Sequence, residues 1–144
     1  MSPQETKEET RATVMLVDDN DDLRSLLKVW LTQLGCRVVE AANGRAAVDV
    51  AAGEHPDLIF MDLHMPKMDG FDAARGIRAL ANLNDQIPII AVSGDYALGV
   101  EARHPTTEAH DVGFTDFIPK PYSPTQLRDI LDHYLPDAGR TTRE

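Results

Sequence analysis

Three carboxylates stand at the ends of two apolar runs, where they could act together. Asp18 and Asp19 follow one run, and Asp62 ends another. Close carboxylates raise one another's pKa unless cations offset their charge. Lys120, after a later apolar run, offsets one of the three negative charges, and a divalent cation would cancel the other two. These residue types predict a site for Mg²⁺, or for the similar Mn²⁺, because both ions take carboxylate ligands and coordinate phosphate oxygens.

A carboxylate in such a site can also be a nucleophile. Attack of an aspartate on phosphorus gives an aspartyl phosphate, and a bound metal neutralises charge on the transferring group. Ser93 ends a further apolar run, so it and Lys120 would add a hydroxyl and an ammonium group that hold the phosphoryl oxygens. The residues therefore predict phosphoryl transfer to an aspartate.

Apolar runs alternate with amphipathic segments along the chain. The predicted strands are 13–18, 36–42, 57–62, 87–93 and 114–119. The predicted helices lie at about 21–34, 43–54 and 71–83, within the less regular stretch 94–113, and from 124 to 135. This alternation indicates an α/β fold, and uninterrupted apolar runs indicate parallel strands buried on both faces. Open parallel sheets bind ligands at the carboxyl ends of their strands, where the acids, the serine and the lysine stand.

Capping residues support these helix boundaries. Asn43 is a candidate N-cap, and Gly35 stands where a left-handed residue would end the first helix. Ser123, Pro124 and Gln126 have the pattern of a capping box with proline at the first helical position. The local sequence therefore agrees with the periodicity on where these helices begin and end.

Composition and charge exclude several classes of protein. The 144 residues carry a net charge of −10 and include one cysteine, Cys36, which permits no intrachain disulfide. An acidic chain lacks the basic footprint of nucleic-acid binding. No apolar stretch is long enough for a membrane span or a signal peptide. We expect a cytoplasmic protein with a disordered arm over 1–12, one domain over 13–136 and a flexible tail over 137–144.

Taken in order, these motifs resemble those of the response regulator receiver domain of two-component signalling. The matching residues are Asp18-Asp19, the run DLHMPKMDG from Asp62 to Gly70, Ser93 and Lys120-Pro121. The resemblance covers about 13–136. It implies a flavodoxin-like (βα)5 fold, with a doubly wound five-stranded parallel sheet of order 2-1-3-4-5 and helices on both faces.

The resemblance implies a phosphoacceptor and a metal site. Asp62 would accept the phosphoryl group. The metal ligands would be Asp19, Asp62 and the backbone carbonyl of His64, with Asp18 acting mainly through water.

The resemblance also implies a switch. Lys120 would contact the phosphoryl group, and Ser93 would move toward it and vacate space for Phe117. The Lys120–Pro121 peptide would be cis, as X-Pro bonds allow.

Other positions near the site vary or depart from the family pattern. His64 and Asp95 lie where side chains tune dephosphorylation in similar domains, although solvent-facing positions are the alternative. Gly94 replaces a more usual alanine and should loosen its loop. The interval from Ser93 to Lys120 is longer than is typical, which indicates either a loop insertion or a partner-specific surface.

The resemblance implies a signalling switch that catalyses only its own phosphoryl transfer and dephosphorylation, and we expect it to stand alone because the tail after Leu135 is too short for another domain. A sensor histidine kinase or a histidine phosphotransfer protein would donate the phosphoryl group. The surface of the fourth helix, fifth strand and fifth helix would then bind a downstream protein. An alternative is a phosphorelay intermediate or phosphate sink. A flavodoxin-like mononucleotide binder is disfavoured because the acidic first loop would repel phosphate, and a phosphatase with an Asp-x-Asp nucleophile on strand one lacks that motif.

Overall fold

Five strands and four helices make up the part of the chain that the computed structural model describes, which is residues 12–63, 70–80, 87–93, 114–119 and 123–135. The strands are β1 (Thr13–Val17), β2 (Arg37–Ala41), β3 (Leu58–Asp62), β4 (Ile89–Ser93) and β5 (Asp116–Pro119). The helices are α1 (Asp21–Gln33), α2 (Gly44–Glu54), α3 (Gly70–Arg78) and α4 (Pro124–Tyr134). All five predicted strands are confirmed, each slightly shorter than predicted.

The five strands form one parallel sheet in the order β2-β1-β3-β4-β5. The chain moves outward from β1 to β2 and then crosses to the other side of β1. Because parallel crossovers are right-handed, this reversal places α1 on one face and the next helices on the other. The doubly wound α/β class and the predicted strand order are both confirmed.

Alternate side chains of the strands enter two apolar clusters, one on each face. The α2–α3 face buries Met15, Val17, Ile59, Met61, Ile89, Ala91, Ala47, Ala51, Ala73, Ala74 and Ile77. The α1–α4 face buries Val14, Leu16, Leu58, Phe60, Ile90, Val92, Leu27, Leu31, Leu127 and Leu131. Each large aliphatic side chain removed from water stabilises the fold by about 1.5–3 kcal/mol. The helices thus cover both faces and leave the carboxyl edge of the sheet to carry a site.

The predicted helix caps are present. The side chain of Asn43 accepts a hydrogen bond from the N–H of Ala46 at 2.8 Å. Ser123 and Gln126 form the reciprocal capping box, with distances of 3.2 and 2.8 Å. Gly35 has φ 94°, the left-handed conformation that glycine adopts without steric cost. Its N–H and that of the next residue donate to carbonyls of the last turn of α1, as in a Schellman motif.

The third helix is shorter than predicted. Apolar periodicity predicts it over 71–83, whereas α3 spans Gly70–Arg78. The N–H of Leu80 donates to the carbonyl of Ile77 at 3.1 Å, an i→i−3 bond that tightens the chain after the helix. Leu80 still packs against the core on the α2–α3 face. The apolar pattern outruns the helix because a core residue in the following turn continues the same spacing.

Several sequence expectations fall on other parts of the chain. The helix predicted within 94–113 lies outside the described residues, as do the arm over 1–11 and the tail over 137–144. Ala12, which the sequence assigned to the arm, is buried, and its carbonyl accepts a hydrogen bond from the N–H of Arg37 at 2.8 Å. Among the described helices, none has the length and apolar content needed to cross a membrane.

Candidate functional site

Two neighbouring strands bring two of the acids together. β1 and β3 are adjacent and parallel, and their register pairs Val17 with Met61. The next residue along each is an aspartate, so Asp18 and Asp62 lie side by side at the carboxyl edge, where adjacent strands are roughly 4.8 Å apart. The N–H of Asp18 donates to the carbonyl of Ala41 at 3.1 Å, which extends the pairing of β1 with β2 by one bond.

Asp18, Asp19 and Asp62 form one carboxylate cluster. One carboxylate oxygen from each residue lies within 4.8 Å of the other two. Asp18 and Asp62 are only 3% and 4% exposed, whereas Asp19 is exposed. Buried carboxylates this close are unfavourable unless positive charge compensates them. Oxygen donors in this arrangement suit a hard divalent cation that keeps several waters, so the donor set fits the predicted Mg²⁺.

Asn20 ties this cluster to the start of α1. Its side-chain oxygen accepts a hydrogen bond from the N–H of Leu23 at 2.9 Å, which makes it the N-cap. Its own N–H donates to Oδ1 of Asp18, also at 2.9 Å. The turn that begins the helix therefore also fixes the carboxylate of Asp18.

Arg24, one turn into α1, reaches the backbone of the cluster. Its Nη1 donates to the carbonyl oxygen of Asp18 at 2.6 Å. Its Nε and Nη2 donate to the carboxylates of Glu40 on β2 and Asp21 on α1, at 2.9 and 2.7 Å. Nζ of Lys28 lies 3.2 Å from the other carboxylate oxygen of Glu40. One guanidinium thus connects α1, β2 and the end of β1.

The pKa values of two members of this network are shifted. Burial alone would lower the pKa of Arg24, but hydrogen bonds to Asp21 and Glu40 outweigh burial and raise it. Burial alone would raise the pKa of Glu40, but hydrogen bonds from Arg24 and Lys28 lower it below its ordinary value. Both ends of the Arg24–Glu40 pair therefore stay charged over a wide pH range around neutrality.

Gly70 brings the start of α3 against the end of β3. Its N–H donates to the carbonyl of Leu63 at 3.1 Å. A Cβ at this position would lie 2.5 Å from the carbonyl oxygen of Asp62 and 2.8 Å from Cα of Leu63. Both atoms belong to the backbone and cannot rotate away, so glycine is required here by the close approach of two chain segments.

The predicted switch residues lie on β4 and β5. Ser93 is the last residue of β4 and pairs with Pro119, so its backbone lies at the same edge of the sheet as Asp62. Phe117 pairs with Ala91 and is partly buried against the core on the α2–α3 face. These strand positions agree with the sequence prediction, while the switching roles of the two residues stay predictions.

The remaining predicted site residues lie outside the described residues. They are His64, Asp95, Lys120 and Pro121. The carbonyl ligand, the tuning of dephosphorylation, the phosphoryl contact and the cis peptide therefore stay predictions.

The family is established by comparison with known sequences. The sequence profile of the family described as the response regulator receiver domain matches residues 14–132. This chain therefore belongs to the response regulator receiver domain family of two-component signalling. Receiver domains are signalling switches that interact with histidine kinases or phosphotransfer proteins.

Individual relatives agree with this assignment. Over 83 residues, 58% of this chain and 9% of the relative, the sequence is 46% identical to the autoinducer 1 sensor kinase/phosphatase LuxN of Vibrio harveyi. Over 120 residues, 83% of this chain and 93% of the relative, it is 35% identical to the chemotaxis protein CheY of Thermotoga maritima. The chain spans between 9% and 52% of the length of the curated relatives that match first.

A solved structure shares the fold. The receiver domain of the sensor histidine kinase PA1611 from Pseudomonas aeruginosa PAO1 superimposes with a TM-score of 0.75 at 31% identity. The match covers 86% of this chain and 97% of that domain. That structure has a magnesium ion coordinated in its active-site cleft.

Three residues shape the site although no role in it was predicted for them from the sequence. Asn20 had a recognisable signal, since an asparagine directly before an amphipathic helix is a typical N-cap. Arg24 had none, because it lies on α1 and its partner Glu40 is 16 positions away on β2. Gly70 belongs to the matching motif, but only the backbone geometry shows why a side chain is excluded there.

Proposed function

We propose that this chain is a signalling receiver that accepts a phosphoryl group on Asp62 in a reaction that depends on Mg²⁺ or Mn²⁺. The supporting observation is the cluster of three carboxylates at the ends of β1 and β3. Asp18, Asp19, Asp62 and the carbonyl of His64 would hold the ion. When bound, the ion would neutralise charge on the transferring phosphoryl group.

Asp62 is suited to be the nucleophile of this reaction. The residue is only 4% exposed, which would limit access of bulk water to an acyl phosphate formed there. Its backbone is fixed by pairing with Val92 and by the close approach of Gly70. The carboxylate form of this residue would be the nucleophile, and fixed placement beside the donor would favour its attack on phosphorus. The ammonium group of Lys120 and the hydroxyl of Ser93 would hold the transferred oxygens.

Phosphorylation would act on the molecule as a local charge change. The new phosphoryl group would draw in Ser93. The movement of Ser93 would vacate space for Phe117, which lies on the adjacent strand. The affected surface is that of the segment between β4 and β5, β5 itself and α4. We propose that this surface binds a downstream protein. The interval from Ser93 to Lys120, longer than is typical, would give it a partner-specific shape.

Family membership supports a proposal for the phosphoryl donor. A sensor histidine kinase or a histidine phosphotransfer protein would supply the phosphoryl group. The net charge of −10 supports protein partners and disfavours direct binding to nucleic acid. We place the protein in the cytoplasm, away from the membrane, as a switch that catalyses only its own phosphoryl transfer and dephosphorylation.

A second candidate function has independent support. Two of the similar proteins are a sensor kinase and a part of one, namely the autoinducer 1 sensor kinase/phosphatase LuxN and the receiver domain of the sensor histidine kinase PA1611. A receiver of that kind would be a phosphorelay intermediate or a phosphate sink. Return of the phosphoryl group from Asp62 to a histidine phosphotransfer protein within seconds would favour this candidate. Retention during binding to a different protein would favour the switch.

Treatment with acetyl phosphate and Mg²⁺, followed by intact mass measurement, tests the proposed function. We expect one phosphoryl group on the wild type, none on Asp62→Asn and none when EDTA removes the metal. Asp72→Asn is the matched control, since Asp72 is an exposed aspartate on α3 that pairs with Arg75. Because some receivers resist small donors, a negative result is repeated with beryllofluoride and fluorescence or NMR detection. No response to either reagent, or equal labelling of Asp62→Asn, would contradict the proposal.

His64 and Asp95 have a narrower proposed role in setting the lifetime of the phosphoryl group. Substituting both with alanine should change the dephosphorylation half-life several-fold without preventing phosphorylation of Asp62. An unchanged half-life would show that these side chains take no part in it.

A further inference from the structure

Arg24 contacts the peptide group that joins two residues of the carboxylate cluster. Its Nη1 donates to the carbonyl oxygen of Asp18 at 2.6 Å, and that carbonyl belongs to the peptide between Asp18 and Asp19. The side chain of Arg24 is only 14% exposed, so this contact is largely shielded from water. A rotation of this peptide would move both carboxylates at once.

Three hydrogen bonds among the described residues help to hold Asp18, and Arg24 supplies one of them. Its N–H donates to the carbonyl of Ala41 on β2 at 3.1 Å. Its Oδ1 accepts from the N–H of Asn20 at 2.9 Å. The first contact fixes the peptide before Asp18, and the second fixes its side chain. The bond from Arg24 fixes the peptide that follows and therefore the direction in which Asp19 leaves the strand.

The charge of Arg24 is already compensated within its own network. Arg24 and Lys28 carry two positive charges, and Asp21 and Glu40 carry two negative charges, in contacts of 2.7 to 3.2 Å. The network therefore adds little net field at the carboxylate cluster. Its effect on the cluster should be geometric, since what it delivers there is a directed hydrogen bond to a backbone oxygen.

We infer that Arg24 is a positioning residue that sets the divalent-metal affinity of the cluster by fixing the Asp18–Asp19 peptide. This inference rests on the metal site of the proposed function. Removing a cation near a metal site would strengthen metal binding by electrostatics alone. Loss of a residue that orients metal ligands weakens binding, typically 10- to 100-fold. If Arg24 acted through its charge, its removal would lower the Kd for the metal. If Arg24 positions the ligands, its removal raises that Kd.

Isothermal titration calorimetry with MgCl₂ on the full chain tests the inference. Arg24→Met should raise the Kd for Mg²⁺ about tenfold. Arg24→Lys keeps the charge but lacks the planar fork that reaches three acceptors, so it should also bind more weakly than the wild type. Lys28→Met and Glu40→Gln are the matched controls. They break the same salt-bridge network but leave the bond from Arg24 to Asp18, and both should change the Kd less than threefold.

Each outcome of this titration has a defined meaning. An unchanged or lower Kd in both Arg24 variants would overturn the inference, as would equal weakening by Glu40→Gln. Urea unfolding of each variant verifies that it is folded, and Arg24→Lys supplies the answer if Arg24→Met is not. Failure of the wild type itself to bind Mg²⁺ would contradict the proposed function and the inference together. Binding by the wild type with equal affinity in the Arg24 variants would contradict the inference alone.

Discussion

At the scale of single residues, the position of Asp62 depends on a glycine eight residues later. Gly70 has no side chain, which allows the first residue of α3 to lie against the carbonyl of Asp62. This contact leaves the proposed phosphoacceptor, Asp62, with backbone constraints from β4 on one side and from α3 on the other. We therefore expect the site to be sensitive to a single methyl group at Gly70, although this residue carries no charge.

Gly70→Ala should disturb both stability and phosphorylation. The new Cβ would overlap backbone atoms, so the segments must separate, at a cost of about 1–3 kcal/mol in the free energy of unfolding. Displacing Asp62 should also slow phosphorylation by acetyl phosphate on the order of tenfold or more. Urea unfolding and the initial rate of phosphorylation measure the two effects.

Gly53→Ala is the control for the glycine substitution. A Cβ at Gly53 would meet no atom within 4 Å. Because Gly53 lies in α2, alanine should leave the phosphorylation rate unchanged and stabilise the fold by roughly 0.5–1 kcal/mol. Equal phosphorylation rates in Gly70→Ala and Gly53→Ala would show that the approach of α3 does not position Asp62.

The charged residues of the site could be predicted from the sequence, but not what holds them. Asp18 and Asp62 end apolar runs, and parallel strands align such ends at one edge of a sheet. The register of Val17 with Met61 confirms that neighbourhood. The contact of Arg24 with Asp18 could not be predicted, since it depends on how α1 packs against β2. Such packing is set by many side chains together and leaves no short pattern in the sequence.

At the scale of elements, a side-chain hydrogen bond joins α4 to β5. The hydroxyl of Tyr134 donates to Oδ2 of Asp116 at 2.8 Å. The other carboxylate oxygen of Asp116 accepts from the N–H of Phe117 at 2.7 Å. Asp116 therefore links the C-terminal end of α4 to the strand that carries the proposed switch aromatic. Burial, the hydrogen bond and the charge of Asp116 raise the pKa of Tyr134 to about 12.

Tyr134→Phe should lower the free energy of unfolding by about 1 kcal/mol near pH 8, the usual net value of one such hydrogen bond. The difference from wild type should depend on pH. In the unfolded chain a tyrosine loses its proton near pH 10.0, whereas in the folded protein Tyr134 keeps it up to about 12. The stabilisation by Tyr134 is thus complete below pH 10 and is lost as the pH rises toward 12. Chemical unfolding of both proteins from pH 8 to 12 measures this.

A difference between Tyr134→Phe and wild type that stays constant over this pH range would contradict the assigned hydrogen bond. Phenylalanine keeps the ring and its packing, so the comparison isolates the hydroxyl. Other groups that titrate between pH 10 and 12 are common to both proteins and cancel in the difference.

Most elements could be predicted because local signals and periodicity agree. Asn43, Gly35 and the capping box at Ser123 each mark a boundary that the structure confirms. The end of α3 could not be predicted, because Leu80 packs partly buried against the core after the helix while keeping helical spacing. Periodicity reports which residues face the core, and it does not distinguish the last turn of a helix from the turn that follows.

At the scale of the whole molecule, the strand order determines where chemistry is possible. The chain reverses direction across the sheet between β2 and β3, and ligands of such folds bind where this reversal opens a crevice at the carboxyl edge. The carboxylate cluster lies on the two strands that flank this reversal point, β1 and β3. The helices cover both faces of the sheet, so we expect a change at this edge to reach a partner through the helices and loops around it.

Locating the phosphoryl group tests the proposed function most directly. The wild type is phosphorylated with acetyl phosphate and Mg²⁺, the acyl phosphate is reduced with borohydride, and the modified peptide is sequenced by tandem mass spectrometry. Reduction converts a phosphorylated aspartate to homoserine and so marks its position permanently. We predict homoserine at position 62 and nowhere else. Homoserine at Asp18, Asp19 or another aspartate, with Asp62 unmodified, would contradict the proposed function.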